Sequence, residues 1–209
     1  MKRISNLIFC IFLSLFIIGA SILLTVGFKE LYYFDIENLN IATNNNLSVE
    51  EVKQNYDYMI DYNLGKEEKE FELPSIKSSE NGKIHFEEVR DIFQILNSIF
   101  NISLVISIIS LVINIINKNF EIFKTTSKTL ILLPLMLILP IVVNFEGSFI
   151  LFHKIMFNND YWIFDPNLDP VINILPEEFF FHAGLMILIL IVIASLTNYL
   201  IYKILKREQ

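Results

Sequence analysis

Three histidines, His85, His153 and His182, together with a scatter of carboxylates, are the side chains of this 209-residue chain best suited to moving protons near neutral pH. His85 opens the run HFEEVRD, with Glu88 three residues on. His153 and His182 lie in the stretch from 145 to 182, FEGSFILFHKIMFNNDYWIFDPNLDPVINILPEEFFFH, which holds ten aromatic side chains. That stretch is too polar for a membrane span and too elaborate for a plain tether, so the chemistry is expected there. Other reaction types find less support. HFEEV is not the zinc-binding H-E-x-x-H, no other close-spaced ligand pair occurs, and no metal or other cofactor is assigned. There is no G-x-S-x-G, and Ser148 in EGSFI has only proximity to recommend it. Cys10, the only cysteine, sits inside an apolar run, where it offers no disulfide, no metal site, no nucleophile and no lipid-attachment box. What remains is chemistry in which histidines carry protons between groups that the substrate itself supplies.

The elements that position these residues belong to a membrane protein. Hydrophobic residues make up 54 % of the chain and charged ones only 19 %, and the apolar residues fall in blocks at 7–28, 95–116, 130–143 and 179–205. The first is uncharged over 22 residues, about 33 Å as a helix, which matches a hydrocarbon core of roughly 30 Å. It is longer than a signal-peptide core and no A-x-A-like site follows, so it reads as a span. The third is interrupted by Pro134 and Pro140, which spans tolerate when neighbouring helices repair the lost backbone bonds. The expected fold is an all-α membrane protein of one domain. It has four transmembrane helices, at about 7–28, 95–117, 128–145 and 179–205, and two outward-facing loops, 29–94 and 146–178, that form a small extracellular cap.

Charge sets the orientation. Segments 1–6, 117–128 and 206–209 carry Lys2, Arg3, Lys118, Lys124, Lys128, Lys206 and Arg207 against Glu121 and Glu208. Residues 29–94 carry 7 basic and 15 acidic groups, and 145–183 carry 1 and 6. Both termini are therefore expected in the cytoplasm and both long loops outside. The net charge of -7 belongs to the outer side and argues against nucleic acid as a partner.

Within the first loop, the aromatics of FKELYYFDIENLN read as an interfacial belt. Ser48-x-x-Glu51 is a capping box, and Val52, Tyr56, Met59 and Ile60 predict a helix over 49–64 that stops at Gly65. KEEKE at 66–70 reads as a solvated turn. Pro74 and Asn81-Gly82 predict an extended or hairpin segment over 71–84. Val89, Ile92, Phe93, Leu96 and Phe100 share a face, so a helix is expected to begin near His85 and run unbroken into the second span. At that helix start the dipole disfavours an imidazolium and the neighbouring carboxylates favour it. Ser103, Ser107, Ser110 and Asn114 form a small-residue packing seam. Asn97 and Asn101 would line a polar cavity or bond to another helix.

Phe149, Phe152, His153, Met156 and Phe157 recur at helical spacing and predict an amphipathic interfacial helix with His153 on its membrane-directed face. Asn158-Asn159-Asp160, Asp165-Pro166 and Asp169-Pro170 are turn signals. Pro176 suits the first position of a last helix reaching 205, about 45 Å long, whose first turns, including His182, must project or tilt. Trp162, Phe179, Phe180 and Phe181 read as belt residues.

His85, Glu88, Val89 and Arg90, in the pattern H-x-x-E-V-R, and the later FHKIMFNNDYWIFDPNLDPVINILPEEFF from 152 to 180 resemble the lipoprotein intramolecular transacylase family of bacterial membranes. The second motif carries the likeness through Phe152-His153, Phe157, Asn159, Trp162, Asp165-Pro166, Asp169 and Pro176. The resemblance extends over nearly the whole chain. It implies an acyltransferase of lipoprotein biosynthesis in the bacterial cell membrane, multi-pass, with its active site on the extracellular face. Its partners would be diacylglyceryl-modified lipoproteins and membrane lipid. The enzyme would move the sn-2 acyl chain to the α-amino group of the lipoprotein's N-terminal cysteine, giving the N-acyl, S-monoacylglyceryl (lyso) form. The family's two functional histidines map onto His85 and His153. One, His85 in the first assignment, would act as general base on the amine and the other as general acid on the departing glycerol oxygen, or the reverse. Glu88, Trp162 and Asp165 are candidates to orient an imidazole or hold the amine, and a structural role for each is equally open. The role of His182 stays open. The rival reading from another class is a non-enzymatic membrane partner subunit that binds a secreted or lipidated protein through its acidic outer loops.

Overall fold

A computed structural model of the chain describes residues 2–67 and 70–207, with the backbone alone at 2–5 and 137–142. Among the described residues every regular element is helical: α1 (Lys2–Gly27), α2 (Glu30–Asn38), α3 (Ile41–Asn44), α4 (Val49–Asn63), α5 (Glu80–Ile116), α6 (Glu121–Val143), α7 (Phe145–Met156), a 3₁₀ turn (Pro170–Ile174) and α8 (Glu177–Arg207). Three of them, α1 over Asn6–Gly27, α5 and α8, are long and apolar enough to cross a membrane. The expected third span falls on α6, but its side chains at 137–142 lie outside the described residues, as do the side chains of Lys2 and Arg3, residues 68 and 69 of the KEEKE run, and Glu208. Contacts divide the chain into two compact units, one of residues 1–24, 96–148 and 185–209, the other of 25–95 and 149–184.

The first unit buries small polar side chains and exposes aliphatic ones. On α5, Ser103, Ser107, Ser110 and Asn114 are buried while Ile102, Val105, Ile109 and Val112 lie open. That inversion suits a helix whose outer solvent is hydrocarbon and whose neighbours pack close. Phe100 stacks on Phe16 at 5.3 Å and lies against Gly19, so α5 and α1 meet there. Ser195 Oγ donates to the Ser127 carbonyl at 2.9 Å and joins α8 to α6. Asn101 Nδ2 donates to Asn97 O at 2.8 Å, within one turn of the same helix and on an exposed face. Among the described residues the pair bonds within its own helix, because an amide one turn away is easier to reach than a neighbouring helix.

The second unit has a soluble-type aromatic core. Tyr32 of α2 stacks on Tyr56 of α4 at 3.7 Å, and Phe179 meets both edge-on at 5.0 and 5.7 Å. The Tyr32 hydroxyl donates to Ile174 O at 2.5 Å. Tyr32 and Phe179 are therefore core residues and not belt residues. α2 is a short helix with two faces, one of which packs on α4, and only its other face leaves Phe34 open. Ser48 and Glu51 close the predicted capping box on α4, and Gly65 at φ +74° ends the chain's turn away from it. Residues 71–79 form no hairpin. They lie as an irregular strap with Phe71, Leu73 and Ile76 buried, held where Ser75 N and Ile76 N donate to Asn55 Oδ1 at 3.2 and 3.3 Å.

α5 starts at Glu80, earlier than its apolar pattern implies. Ser79 is its N-cap, its Oγ accepting from Gly82 N at 3.0 Å, and the buried carboxylate of Asp169 holds that serine in place by accepting from Ser79 N and Ser79 Oγ, each at 2.7 Å. Gly82, read as part of a turn, lies in the first turn of this helix, where a Cβ would collide with Asp169 Oδ1. His85 consequently stands in the second turn. The helix is 37 residues long, about 55 Å. Its first twelve residues include Glu80, Lys83, Glu87, Glu88, Arg90 and Asp91, so its membrane-crossing part begins after them.

Gly82→Ala is expected to lower the stability of the protein in detergent by about 1–3 kcal/mol through overpacking against Asp169. Gly184→Ala, in a helix with nothing within 4 Å of its Cβ, should leave the melting temperature unchanged or slightly higher. Thermal unfolding of the two variants side by side checks the difference.

Candidate functional site

His85 and His153 come together in the second unit. Their ring centroids are 6.0 Å apart, at an interplanar angle of 34°, and the residues are 6 % and 8 % exposed. His85 arrives on the second turn of α5 and His153 on the last turn of α7. Aromatic rings enclose the pair: Phe157 and Phe164 meet His85 edge-on at 4.8 and 5.3 Å, and Phe149 and Trp162 lie 4.0 and 4.8 Å from His153.

The set expected to share the membrane-directed face of α7 splits. Phe152 and Met156 are exposed with Leu151 and Ile155, whereas His153 and Phe157 face inward. Both faces of this helix are apolar, so periodicity does not say where one face ends and the other begins.

This enclosure sets the charge of the pair. Burial first, and the proximity of His153 second, together lower the His85 pKa to about 4. Burial also lowers the pKa of His153, opposed in part by its backbone hydrogen bond. Both rings are thus neutral at physiological pH. His153 Nδ1 lies 2.8 Å from Phe149 O, and a carbonyl oxygen only accepts, so Nδ1 carries the proton and Nε2 is left as a bare lone pair. His85 Nδ1 is buried without a partner.

The other candidates separate. Glu88 lies one turn from His85 on α5 and accepts from Asn159 Nδ2 at 2.7 Å through Oε1. Trp162 packs on His153 and donates its Nε1–H to Asn159 O at 3.0 Å. Asp165 is engaged locally: its Oδ1 accepts from Asn167 N and Nδ2 at 2.8 and 3.0 Å, as in an Asx turn. His182 stands apart from the pair. Its Nδ1 is 2.9 Å from both carboxylate oxygens of Asp35, a residue with no exposure at all. Among the described residues no three His, Cys, Asp or Glu side chains gather as a metal site would require.

Asn159 ties Glu88 to Trp162, and Phe157 and Phe164 wall in His85, yet sequence reasoning assigned a site role to none of them. Asn159 was hidden inside a turn signal, and the two phenylalanines inside an abundance of aromatics.

Known proteins are similar to this chain. The family model described as "Lipoprotein intramolecular transacylase Lit" matches residues 7–180. The structure is similar to that of the membrane-integral lipoprotein intramolecular transacylase Lit from Bacillus cereus, with 37 % identity and a TM-score of 0.95 over 100 % of this chain and 97 % of that one. Two structures of that protein with H85R and H85A mutations are similar at 36 % identity and a TM-score of 0.92, covering 100 % of this chain and 93 % and 94 % of theirs. A search of curated proteins finds no match.

Nitrogen NMR of histidine-labelled protein in nanodiscs should find His153 as the Nδ1–H tautomer and His85 uncharged down to about pH 4. The sign for stability follows. An unfolded imidazole takes its proton near 6.5 and the folded one only near 4, so the contribution of His85 is complete above 6.5 and is lost as pH falls towards 4. Titration of His85 at the ordinary imidazole value would refute the assignment.

Proposed function

Because the chain belongs to the lipoprotein intramolecular transacylase family, we propose that it transfers the sn-2 acyl chain of a diacylglyceryl lipoprotein to the α-amino group of that lipoprotein's own N-terminal cysteine. The product is the N-acyl, S-monoacylglyceryl form. The observation that carries this reading is the pair of buried, uncharged imidazoles 6.0 Å apart. Amine and ester belong to one substrate, so the enzyme has to bend that substrate into attack geometry and move one proton, with no acyl-enzyme needed.

His153 is the better acceptor, since its Nδ1–H is committed to Phe149 O and its Nε2 is free. This reverses the first assignment of roles. As the amine nitrogen bonds to the ester carbonyl carbon, His153 Nε2 takes the amine proton. When the carbon–oxygen bond breaks, the same proton passes to the departing glycerol oxygen, which hangs on the same carbon. His85, as a neutral ring with one N–H, donates to the oxygen on which charge collects. Aromatic walls keep water, the competing nucleophile, away from the ester.

The membrane setting supports the same reading. Four spans, α6 among them, both termini in the cytoplasm and the site on the extracellular face follow from the basic and acidic segments. At that depth a lipoprotein presents its glyceryl ester and its N-terminal amine together.

His85→Asn and His153→Asn are each expected to reduce formation of the lyso product by about 100-fold or more in cells that accumulate diacyl lipoproteins. Mass spectrometry of N-terminal lipopeptides reads the product. Undiminished lyso form from either variant would sink the paired-imidazole scheme.

A further inference from the structure

Glu88 holds an unused acceptor one helical turn from His85. Its Oε1 is taken by Asn159 Nδ2, but its buried Oε2 has no hydrogen-bond partner among the described residues. A buried carboxylate oxygen without a donor is costly to keep, and buried polar atoms left in that state call for an explanation. The nearest cation in sequence does not supply one. Arg90, two residues on, projects from a different side of α5 and lies over the Tyr62 ring, 4.8 Å from its centroid.

The position of this oxygen is fixed from two sides. Glu88 shares a face of α5 with His85, three residues before it. Asn159, which grips the other carboxylate oxygen, also holds Trp162 through its carbonyl, and the Trp162 ring lies 4.8 Å from His153. One bonded chain therefore connects the free acceptor to the surroundings of both imidazoles.

We propose that Glu88 Oε2 is the seat of the substrate's α-ammonium group, so that Glu88 selects lipoproteins with a free N-terminal amine and holds that amine beside the ester. This deepens the transacylase reading and rests on it. The diacylglyceryl portion of the substrate carries esters and hydrocarbon, neither of which donates a hydrogen bond. The N-terminal amine, with a pKa of about 7.7–8.0, is mostly cationic at neutral pH and is the one charged donor that every such substrate must bring. A charge-assisted bond from it to Oε2 satisfies the orphaned oxygen and places the nitrogen one helical turn from His85. Before attack the ammonium gives up one proton to bulk water, and the neutral amine still donates an N–H to the same oxygen; the proton lost on attack is the one that His153 takes. Once the nitrogen is acylated its charge is gone, which weakens its hold and helps the product to leave.

The test uses the full-length protein in nanodiscs and a pair of unreactive lipopeptides with an ether in place of the sn-2 ester, one with and one without the α-amine. The wild-type protein is expected to bind the amine-bearing form at least about tenfold more tightly. Glu88→Gln keeps an oxygen for Asn159 and loses the charge. It should bind the desamino form as the wild type does and show a preference reduced to within about twofold. Glu88→Asp, which restores a carboxylate, should recover part of the preference. A preference intact in Glu88→Gln overturns the proposal, and so does equal weakening towards both lipopeptides, which would mark a structural role. Turnover of a true diacyl lipopeptide by the wild type is measured alongside. Absence of lyso product there counts against the transacylase reading itself, whereas turnover with an unchanged preference counts against Glu88 alone.

Discussion

Water is kept from two imidazoles, and the second unit is arranged around that exclusion. An imidazolium needs water or a counter-charge, and His85 has neither: its neighbours are Phe157, Phe164 and a second imidazole. The ring is thereby held in the form able to accept or share a proton. Enclosure of this kind depends on rigid walls, and the walls are themselves fixed by polar bonds. Asp169 holds Ser79, the cap of the helix that carries His85, and Phe149 O fixes the tautomer of His153. Asn159 braces the indole against it.

The two units solve opposite solvent problems with one chain. Where the helices run apolar on the outside, small residues and hydroxyls turn inward and let backbones approach, as around Phe100, Gly19 and the serines of α5. In the second unit the large aromatics turn inward, as Tyr32, Tyr56 and Phe179 do. α5 contributes to both, burying His85 and Phe86 in the second unit and its serines in the first.

Much of this was legible in the sequence. Block hydropathy marked the three helices long and apolar enough to cross a membrane, the Ser48–Glu51 box marked the start of α4, and residue type put forward three histidines, from which the family resemblance picked His85 and His153. Other features were not legible, for physical reasons. α7 is apolar on both faces, so its period could not say that His153 points inward. Asp169-Pro170 reads as a local turn because nothing local reveals that its carboxylate reaches Ser79, 90 residues earlier. Gly82 looked like a breaker because a glycine that admits a neighbouring carboxylate and one that ends a helix are the same letter. Tyr32 looked like an interfacial residue because its stacking partner lies on a different helix.

The hydrogen bond of His182 Nδ1 with Asp35 spans 147 residues, and it carries a consequence for how the protein is made. Asp35 is sealed from solvent and its carboxylate is met by His182, so α2 cannot settle into its final place until the beginning of α8 has been synthesised. Tyr32 waits in the same way for Ile174, and Ser79 for Asp169. The amino-terminal part of the second unit leaves the ribosome first and is completed by residues made much later, so it closes only after 169–182 have been synthesised.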